Sequence, residues 1–264
     1  MKILNFLFSR SKQEQDKPIR DKLKTRKDFE RVLAEDLDIM ETTKARMDTA
    51  KNINLYMYRS LSYSYILILQ SKYSVDAKID ELRDIYIKSM HYFLQAFNKR
   101  NPIYADILNY VSLGVLLNIP DNNFRQLIDY VKQMDKQAKP SGWTPDLLLW
   151  FMLNSRMKEQ EKQKYAETLA YPRLYNGLYK AIQAPNAAAA KDALNKYLDR
   201  WYNLNSDAPW YNSHLKNNCY RGYWAWEVAA VAKIMHIDDS DLKNNQYYPY
   251  DMVHWENNET TAKE

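Results

Sequence analysis

"YRGYWAWEVAAVAKIMHIDDSDLKNNQYYPYDMVHWE", residues 220–256, combines many aromatic rings with two histidines and several acids. Such side chains occur both in active sites and in well-packed cores. Which of the two this stretch forms decides whether the protein is an enzyme or acts through its surface. Apolar residues recur every three or four positions over 222–236, which predicts a helix. The remainder, 238–256, predicts a capped turn and an aromatic tail. We interpret the whole stretch as core.

The composition of the 264 residues favours long helices. There are only 4 glycines and 9 prolines, whereas β-sandwiches and barrels need many tight turns. No segment alternates convincingly between apolar and polar residues. The sequence therefore predicts an all-α fold, a multi-helix bundle of two packed helical halves with an aromatic C-terminal tail.

Helical periodicity and turn-forming residues predict where the elements begin. In chain order they are an amphipathic helix from Phe29, a central helix over 54–70, a third capped by Asp76, a buried one opened by Asn101 and Pro102, one capped by Asp121, one opened by Thr144 and Pro145, a stretch from Glu159 that Pro172 ends or kinks, and one capped by Asn186.

The densest group of turn formers, "KPSGWTP" at 139–145, predicts a linker between the halves. The expected organisation is a flexible N-terminal tip at 1–17, an N-terminal helical half at 18–138, the linker at 139–145, a C-terminal helical half at 146–256 and a disordered tail at 257–264.

Motifs for catalysis are absent from the sequence. It contains no glycine-rich phosphate loop and no HExxH, CxxC or GxSxG. One enzymatic alternative stays open, a metal-assisted hydrolase whose ligands and acid–base groups would be His214, His236, His254, Glu227 and Asp251. Glu227 alone can also be interpreted as a general acid or base, or as a buried, hydrogen-bonded anchor. We favour the anchor, because no second catalytic group is placed beside it.

The aromatic stretches near the C-terminus are interpreted as structural anchors. Tyrosine and tryptophan pair a large apolar body with a polar group that can satisfy buried partners. The predicted anchors are Trp201, Trp210, His214, Tyr223, Trp224, Trp226, Glu227, Tyr248, Pro249 and Asp251.

The formal net charge of +5 is unevenly distributed, because residues 205–264 hold 5 Lys/Arg against 9 Asp/Glu, or −4. The isoelectric point near 8.9 leaves a nucleic-acid-binding module as a third alternative. Paired charges on solvated helix faces explain the scattered basic residues better. A single cysteine, Cys219, and the lack of a cleavage site after the short apolar start predict a cytoplasmic protein.

Several long stretches resemble the PoNi family of bacterial immunity proteins, which neutralise PoNe-type DNase toxins of type VI and related polymorphic toxin systems. The resemblance is carried by "LDRWYNLNSDAPWYNSHL" at 198–215, "YRGYWAWEVAAVAKIMHIDDSDL" at 220–242 and "YYPYDMVHW" at 247–255, and more loosely by "IRDKLKTRKDFERVL" at 19–33 and "YRSLSYSYILILQSKYSVDAKIDELRDIYI" at 58–87. It covers about residues 18–256. Val75 and Asp76 stand where a family glycine is expected, which affects the shape of that loop.

The resemblance implies an all-helical, non-enzymatic protein without a cofactor, which binds its cognate toxin in the cytoplasm and contacts neither nucleic acid nor membrane. A homodimer stays open. Family motifs describe the fold and carry no toxin contacts to this chain.

Acidic residues are the candidates for the toxin interface, because a DNase cleft must attract a polyanion and a blocking protein gains by presenting negative charge. The candidates are Glu35, Asp36, Asp38, Asp238, Asp239 and Asp241. The first three can equally form a solvated helix face, and the last three can cap a turn.

Overall fold

The structure is a computed structural model that describes residues 18–97, 103–136, 143–216 and 219–261. These residues form ten α-helices and three short 3-10 turns, with no strand among them, so the predicted all-α class is confirmed. The helices are α1 (Arg26–Thr49), α2 (Leu55–Ser74), α3 (Ile79–Ala96), α4 (Tyr104–Leu116), α5 (Asp121–Lys136), α6 (Leu147–Asn154), α7 (Pro172–Ile182), α8 (Ala187–Leu204), α9 (Trp226–Met235) and α10 (Tyr250–Thr261). No helix in the described ranges is long and apolar enough to cross a lipid bilayer.

The chain divides into two compact units, and the first is discontinuous in sequence. It comprises Met1–Arg100 and Asn212–Tyr223, while the second comprises Asn101–Tyr211 and Trp224–Glu264. In the first unit α2 packs against both α1 and α3. One cluster of its core joins buried residues of α1 and α2: Leu33, Met40, Leu61, Tyr65 and Ile68.

The returning segment Asn212–Tyr223 is held in the first unit by polar and aromatic contacts. The Tyr220 hydroxyl donates to Asp21 Oδ2, and its ring lies 5.8 Å from that of Phe29. The Arg221 side chain binds Asp36. The backbone carbonyl of Arg221 accepts from Ser74 Oγ at 2.8 Å. The segment therefore supplies buried partners for residues near the start of the chain.

The second unit is built around α9, in which Trp226 to Ala232 are all buried. Because α9 is apolar on most sides, apart from Glu227 and Lys233, it can pack against α4, α7 and α10. Leu116 O, at the C-terminal end of α4, accepts from Lys233 Nζ at 3.1 Å and from Trp255 Nε1 at 3.0 Å. These bonds satisfy a carbonyl at a helix end that has no partner within its own helix.

The contacts divide the chain at 100/101, whereas the sequence predicted the linker 139–145. The tip 1–17 and positions 139–142 lie outside the described residues. The backbone of α10 continues to Thr261, within the stretch 257–264 that was predicted to be a disordered tail. The predicted boundaries of the two halves, and their packing on one another, stay predictions.

Several predicted helix starts differ from the structure. Asp76 has a left-handed φ of 78° and does not cap α3, whose N-cap is Lys78. Pro172 begins α7 in place of ending a helix, because at N1 its missing N–H costs no hydrogen bond. The N-cap of α6 is Asp146, two residues beyond Thr144.

Two further elements also depart from the prediction. Helix α9 starts at Trp226, later than the predicted 222, after Gly222 with φ 109°. The aromatic tail itself contains helix α10. The predicted cap at Asn186 is confirmed, since its side chain accepts from Ala189 N at 2.9 Å, and Asn101 and Pro102 lie outside the described residues.

Candidate functional site

The acidic candidates on α1 have two different environments. Glu35 and Asp38 are exposed, but Asp36 is buried. Asp36 accepts from Arg221 Nε at 2.9 Å and from Arg221 Nη2 at 2.7 Å. Burial raises the pKa of Asp36, although the Arg221 guanidinium opposes that rise. Asp36 is therefore an internal partner, and its burial removes it from the candidate contact surface.

The acidic turn at 238–241 is divided in the same way. Asp238 and Asp241 are exposed, and each lies 3.1 Å from Lys191 Nζ. A hydrogen bond from Ser240 and the contact with Lys191 lower the pKa of Asp238 to about 2. Asp239 is buried instead, and its carboxylate accepts from the Tyr248 hydroxyl at 2.6 Å. Asp239 is thus also removed from the candidate surface.

Glu227, the sharpest candidate for acid–base chemistry, lies inside the second unit. Its Oε1 accepts from Trp201 Nε1 at 2.6 Å, and the Tyr197 hydroxyl is at 3.5 Å. Burial raises the pKa of Glu227 to about 7, against the effect of these hydrogen bonds. The carboxyl group joins α9 to α8 through hydrogen bonds, which is the arrangement expected of an anchor.

Aromatic rings stack around Trp201 and its neighbour Tyr202 on α8. Trp201 and half-buried Trp210 stack with centroids 5.4 Å apart. Tyr202 stacks on Tyr211 at 4.5 Å and on Tyr247 at 5.5 Å. The stack covers α8 with residues that follow it and with residues from the C-terminal stretch.

His214 and Tyr223 lie together in the first unit. The Tyr223 hydroxyl accepts from His214 N at 3.0 Å, and it also lies 3.0 Å from His214 Nδ1 and 3.1 Å from Ser213 Oγ. Of the other predicted anchors, Trp224, Trp226, Tyr248 and Pro249 are buried, whereas Asp251 is exposed in the first turn of α10.

Of the three histidines of the hydrolase alternative, His214 and His254 have other partners. His254 Nε2 lies 2.8 Å from Asp239 Oδ1, and His236 ends α9 with a left-handed φ of 52°. His214 belongs to the first unit, while the other residues of that alternative belong to the second. Across the part of the chain that the structure describes, no three His, Cys, Asp or Glu side chains are grouped so as to hold a metal ion.

Two aspartates that the sequence analysis did not select organise the second unit. Asp146 Oδ1 accepts from the Tyr104 hydroxyl at 2.7 Å and from Leu149 N at 2.8 Å, and its Oδ2 accepts from Ala170 N at 2.7 Å. An aspartate directly before an apolar run is an N-cap signal, so the capping bond could have been predicted. The bonds to Tyr104 and Ala170 join residues that are distant in sequence, so these bonds could not have been predicted.

Asp135 is the second of these aspartates, and it lies at a surface cavity of about 420 Å³. Its carboxylate accepts at 2.7 Å from each of three donors, Trp143 Nε1, Trp150 Nε1 and the Tyr165 hydroxyl. The cavity is lined by Lys132, Asp135, Lys136, Pro145, Gln163 and Tyr165. Because the carboxylate is engaged by three donors, it serves to join the end of α5 to α6 and to the loop after it.

Comparison with known proteins agrees with this all-helical arrangement. The N-terminal model of the PoNe immunity proteins (PoNi) matches residues 11–129, and the C-terminal model of the same proteins matches residues 144–252. Comparison with curated protein sequences gives no match. The crystal structure of protein PA2201 from Pseudomonas aeruginosa is similar in fold, with a TM-score of 0.69 and 18% identity over 91% of each chain. The resemblance seen in the sequence is thereby confirmed: the chain belongs to the PoNi family of PoNe immunity proteins.

Proposed function

We propose that this chain neutralises a cognate PoNe-type DNase toxin in the cytoplasm of the cell that produces both, by direct and tight binding. Membership of the family implies immunity against a PoNe nuclease. Delivery of that nuclease by a type VI or related system, as a weapon between competing bacteria, is part of the same proposal.

The observation that carries the proposal is the match of both family models, in the expected order, over most of the chain. The environments of the polar residues support a non-enzymatic role. Glu227, Asp36 and Asp239 are each engaged by donors inside a packed unit. Side chains in such positions stabilise a fold, and they are not presented to a substrate.

A DNA-cleavage titration tests inhibition by binding. The purified nuclease domain of the cognate PoNe toxin would be mixed with increasing amounts of the chain before plasmid DNA is added. We expect cleavage to fall linearly and to stop near one chain per toxin, with a complex of that stoichiometry on gel filtration. A stable complex should bury roughly 1,600 Å² in total.

Two outcomes would contradict the proposal. Complete inactivation of the toxin by far less than one equivalent would indicate turnover, and hence an enzyme acting on the toxin. Undiminished cleavage, together with unrelieved toxicity when both genes are expressed in the same cell, would exclude neutralisation of this toxin. A PoNi protein from an unrelated toxin pair serves as the control for specificity.

A further inference from the structure

Large apolar side chains are concentrated on one part of the surface of the first unit. Among the described residues eight large hydrophobic side chains are exposed, and four of them fall between positions 39 and 63. The exposed fractions are 50% for Ile39, 46% for Ile53, 77% for Tyr56 and 62% for Tyr63. Single exposed apolar residues are normal, whereas a group of them commonly marks a contact surface.

Contacts between α1 and α2 place three of these side chains on one face. Thr43 Oγ1 and Ser60 Oγ lie 3.5 Å apart, which fixes the level at which the two helices meet. Ile39 lies one turn before Thr43, whose Oγ1 donates to Ile39 O at 2.8 Å. Tyr56 and Tyr63 lie one turn on either side of Ser60 on α2. The exposed rings of α2 and the side chain of Ile39 therefore flank the same line of contact.

Negative charge borders this apolar face on α1. Glu35, Asp38 and Ile39 share one side of the helix, because they are separated by three and four residues. Between Arg31 and Lys44 the helix contains no lysine or arginine. Within the described ranges neither Glu35 nor Asp38 forms an ion pair or a hydrogen bond, so their charges face solvent. We call Glu35, Asp38, Ile39, Tyr56 and Tyr63 the α1–α2 face.

Neighbouring charges leave this acidic border intact. Arg59 lies between the two tyrosines in sequence, but its Cζ is 5.7 Å from the ring centroid of Phe97 at the end of α3.

The other exposed acids proposed as toxin contacts, Asp238 and Asp241, are each bound by Lys191. A cationic partner would have to displace that lysine before it could pair with them.

We infer that the α1–α2 face is the surface that binds the toxin, and that its occupant is the basic DNA-binding surface of the PoNe nuclease; the inference rests on the proposed function. A nuclease that grips a phosphate backbone carries clustered lysine and arginine side chains. Glu35 and Asp38 supply the complementary charge, which accelerates encounter and excludes wrong partners. Tyr56 and Tyr63 supply the large amphipathic side chains that dominate binding energy at interfaces.

The test compares three double variants of the full-length chain for affinity to the purified nuclease domain used above. Glu35→Lys with Asp38→Lys reverses the acidic border, and Tyr56→Ala with Tyr63→Ala removes the rings. Glu81→Lys with Asp84→Lys is the matched control, because it reverses an exposed Glu and Asp at the same three-residue spacing on α3. We expect each variant of the face to weaken binding at least about tenfold, and the control to stay within about threefold of the parent.

Different outcomes separate this inference from the proposed function. Failure of the parent chain itself to bind or protect would overturn both. A parent that binds and protects, with face variants that bind equally well, would overturn the α1–α2 face alone. The assignment of the α1–α2 face would also be overturned if the parent dimerises through this face and the face variants become monomeric while their toxin binding is unchanged.

Footprinting of the unmodified parent chain answers the same question without a substitution that could disturb folding. Hydroxyl radicals oxidise exposed tyrosine rings, and mass spectrometry quantifies the products. In the complex we expect oxidation of Tyr56 and Tyr63 to fall at least about fivefold, in line with the desolvation of central interface residues. Tyr165, exposed in the second unit, should be oxidised equally in the free and bound chain. Unchanged oxidation of Tyr56 and Tyr63 would overturn the inference.

Discussion

At the scale of single residues, buried carboxylates are the most informative feature of this protein. Asp36, Asp146, Glu227 and Asp239 are all buried and all accept hydrogen bonds. Burial disfavours the charged form of a carboxyl group, while hydrogen bonds favour it. In Asp36, Asp146 and Glu227 burial has the larger effect, since the pKa of each is raised. Their contribution to stability must therefore depend on pH.

Glu227→Gln should flatten part of the pH dependence of stability. The pKa of Glu227 is about 7 in the folded state against 4.5 for an unperturbed Glu. Between these values the unfolded chain releases the proton while the folded chain retains it, so stability falls as pH rises from about 4.5 to 7 and is level above. This group should account for about 3 kcal/mol of that fall.

Urea denaturation of the parent and Glu227→Gln at a series of pH values measures the difference. The glutamine can still accept from Trp201, so it retains the hydrogen bond and lacks the titration. Parallel pH profiles for the two proteins would show that Glu227 does not titrate in this range.

Breaking the ion pair between Asp36 and Arg221 should be strongly destabilising. Arg221→Met would leave the buried Asp36 carboxylate without its cation, at a cost of about 3–5 kcal/mol. Adding Asp36→Leu removes the unpaired charge, and the double variant should recover most of that loss. A double-mutant cycle by urea denaturation checks this, and simple additivity of the two single losses would contradict it.

At the scale of elements, caps decide where helices start, and two aspartates that each precede a helix behave differently. Asp146 caps α6 and also binds Tyr104 and Ala170. Asp76 adopts a left-handed φ of 78° after α2 and does not cap α3. Asp146 stands directly before the apolar run of α6, whereas Ala77 and Lys78 separate Asp76 from Ile79, the first residue of α3, so Asp146 has the stronger cap signal. The sequence pattern does not show the partners that distant residues supply, which are Tyr104 and Ala170 for Asp146 and Arg20 for Asp76.

Asp146→Ala should cost much more stability than Asn186→Ala. Asn186 is exposed and makes a capping bond to Ala189 N, whose loss is worth about 1 kcal/mol. Asp146 is buried, and its removal also leaves the Tyr104 hydroxyl and Ala170 N without this acceptor, which should bring the total to at least about 3 kcal/mol. Thermal and urea denaturation of the two variants give the comparison. Equal losses would mean that the bonds of Asp146 beyond the cap contribute nothing.

At the scale of the whole molecule, the first unit is completed by a segment from far along the chain. Asn212–Tyr223 supplies Tyr220 and Arg221 as the partners of Asp21 and Asp36. A division of the sequence near residue 139 would separate those partners. The units are therefore defined by contacts that are distant in sequence.

A fragment of residues 1–100 should consequently unfold without a sharp cooperative transition. It would contain Asp21 and Asp36 as buried acids without Tyr220 or Arg221. Attaching residues 212–223 to its C-terminus through a flexible Gly/Ser linker should restore a cooperative transition in urea. If the bare fragment unfolds as sharply as the extended one, the segment is not needed to complete the unit.

The sequence by itself determined the helical class and the family. Those properties depend on local periodicity, on the scarcity of glycine and on long motifs, all of which can be read along the chain. Asp36 and Asp239 were indistinguishable in sequence from exposed neighbours such as Asp38 and Asp238. Only the tertiary structure decided which acids are buried and that 212–223 belongs to the first unit, because burial depends on which distant residues meet.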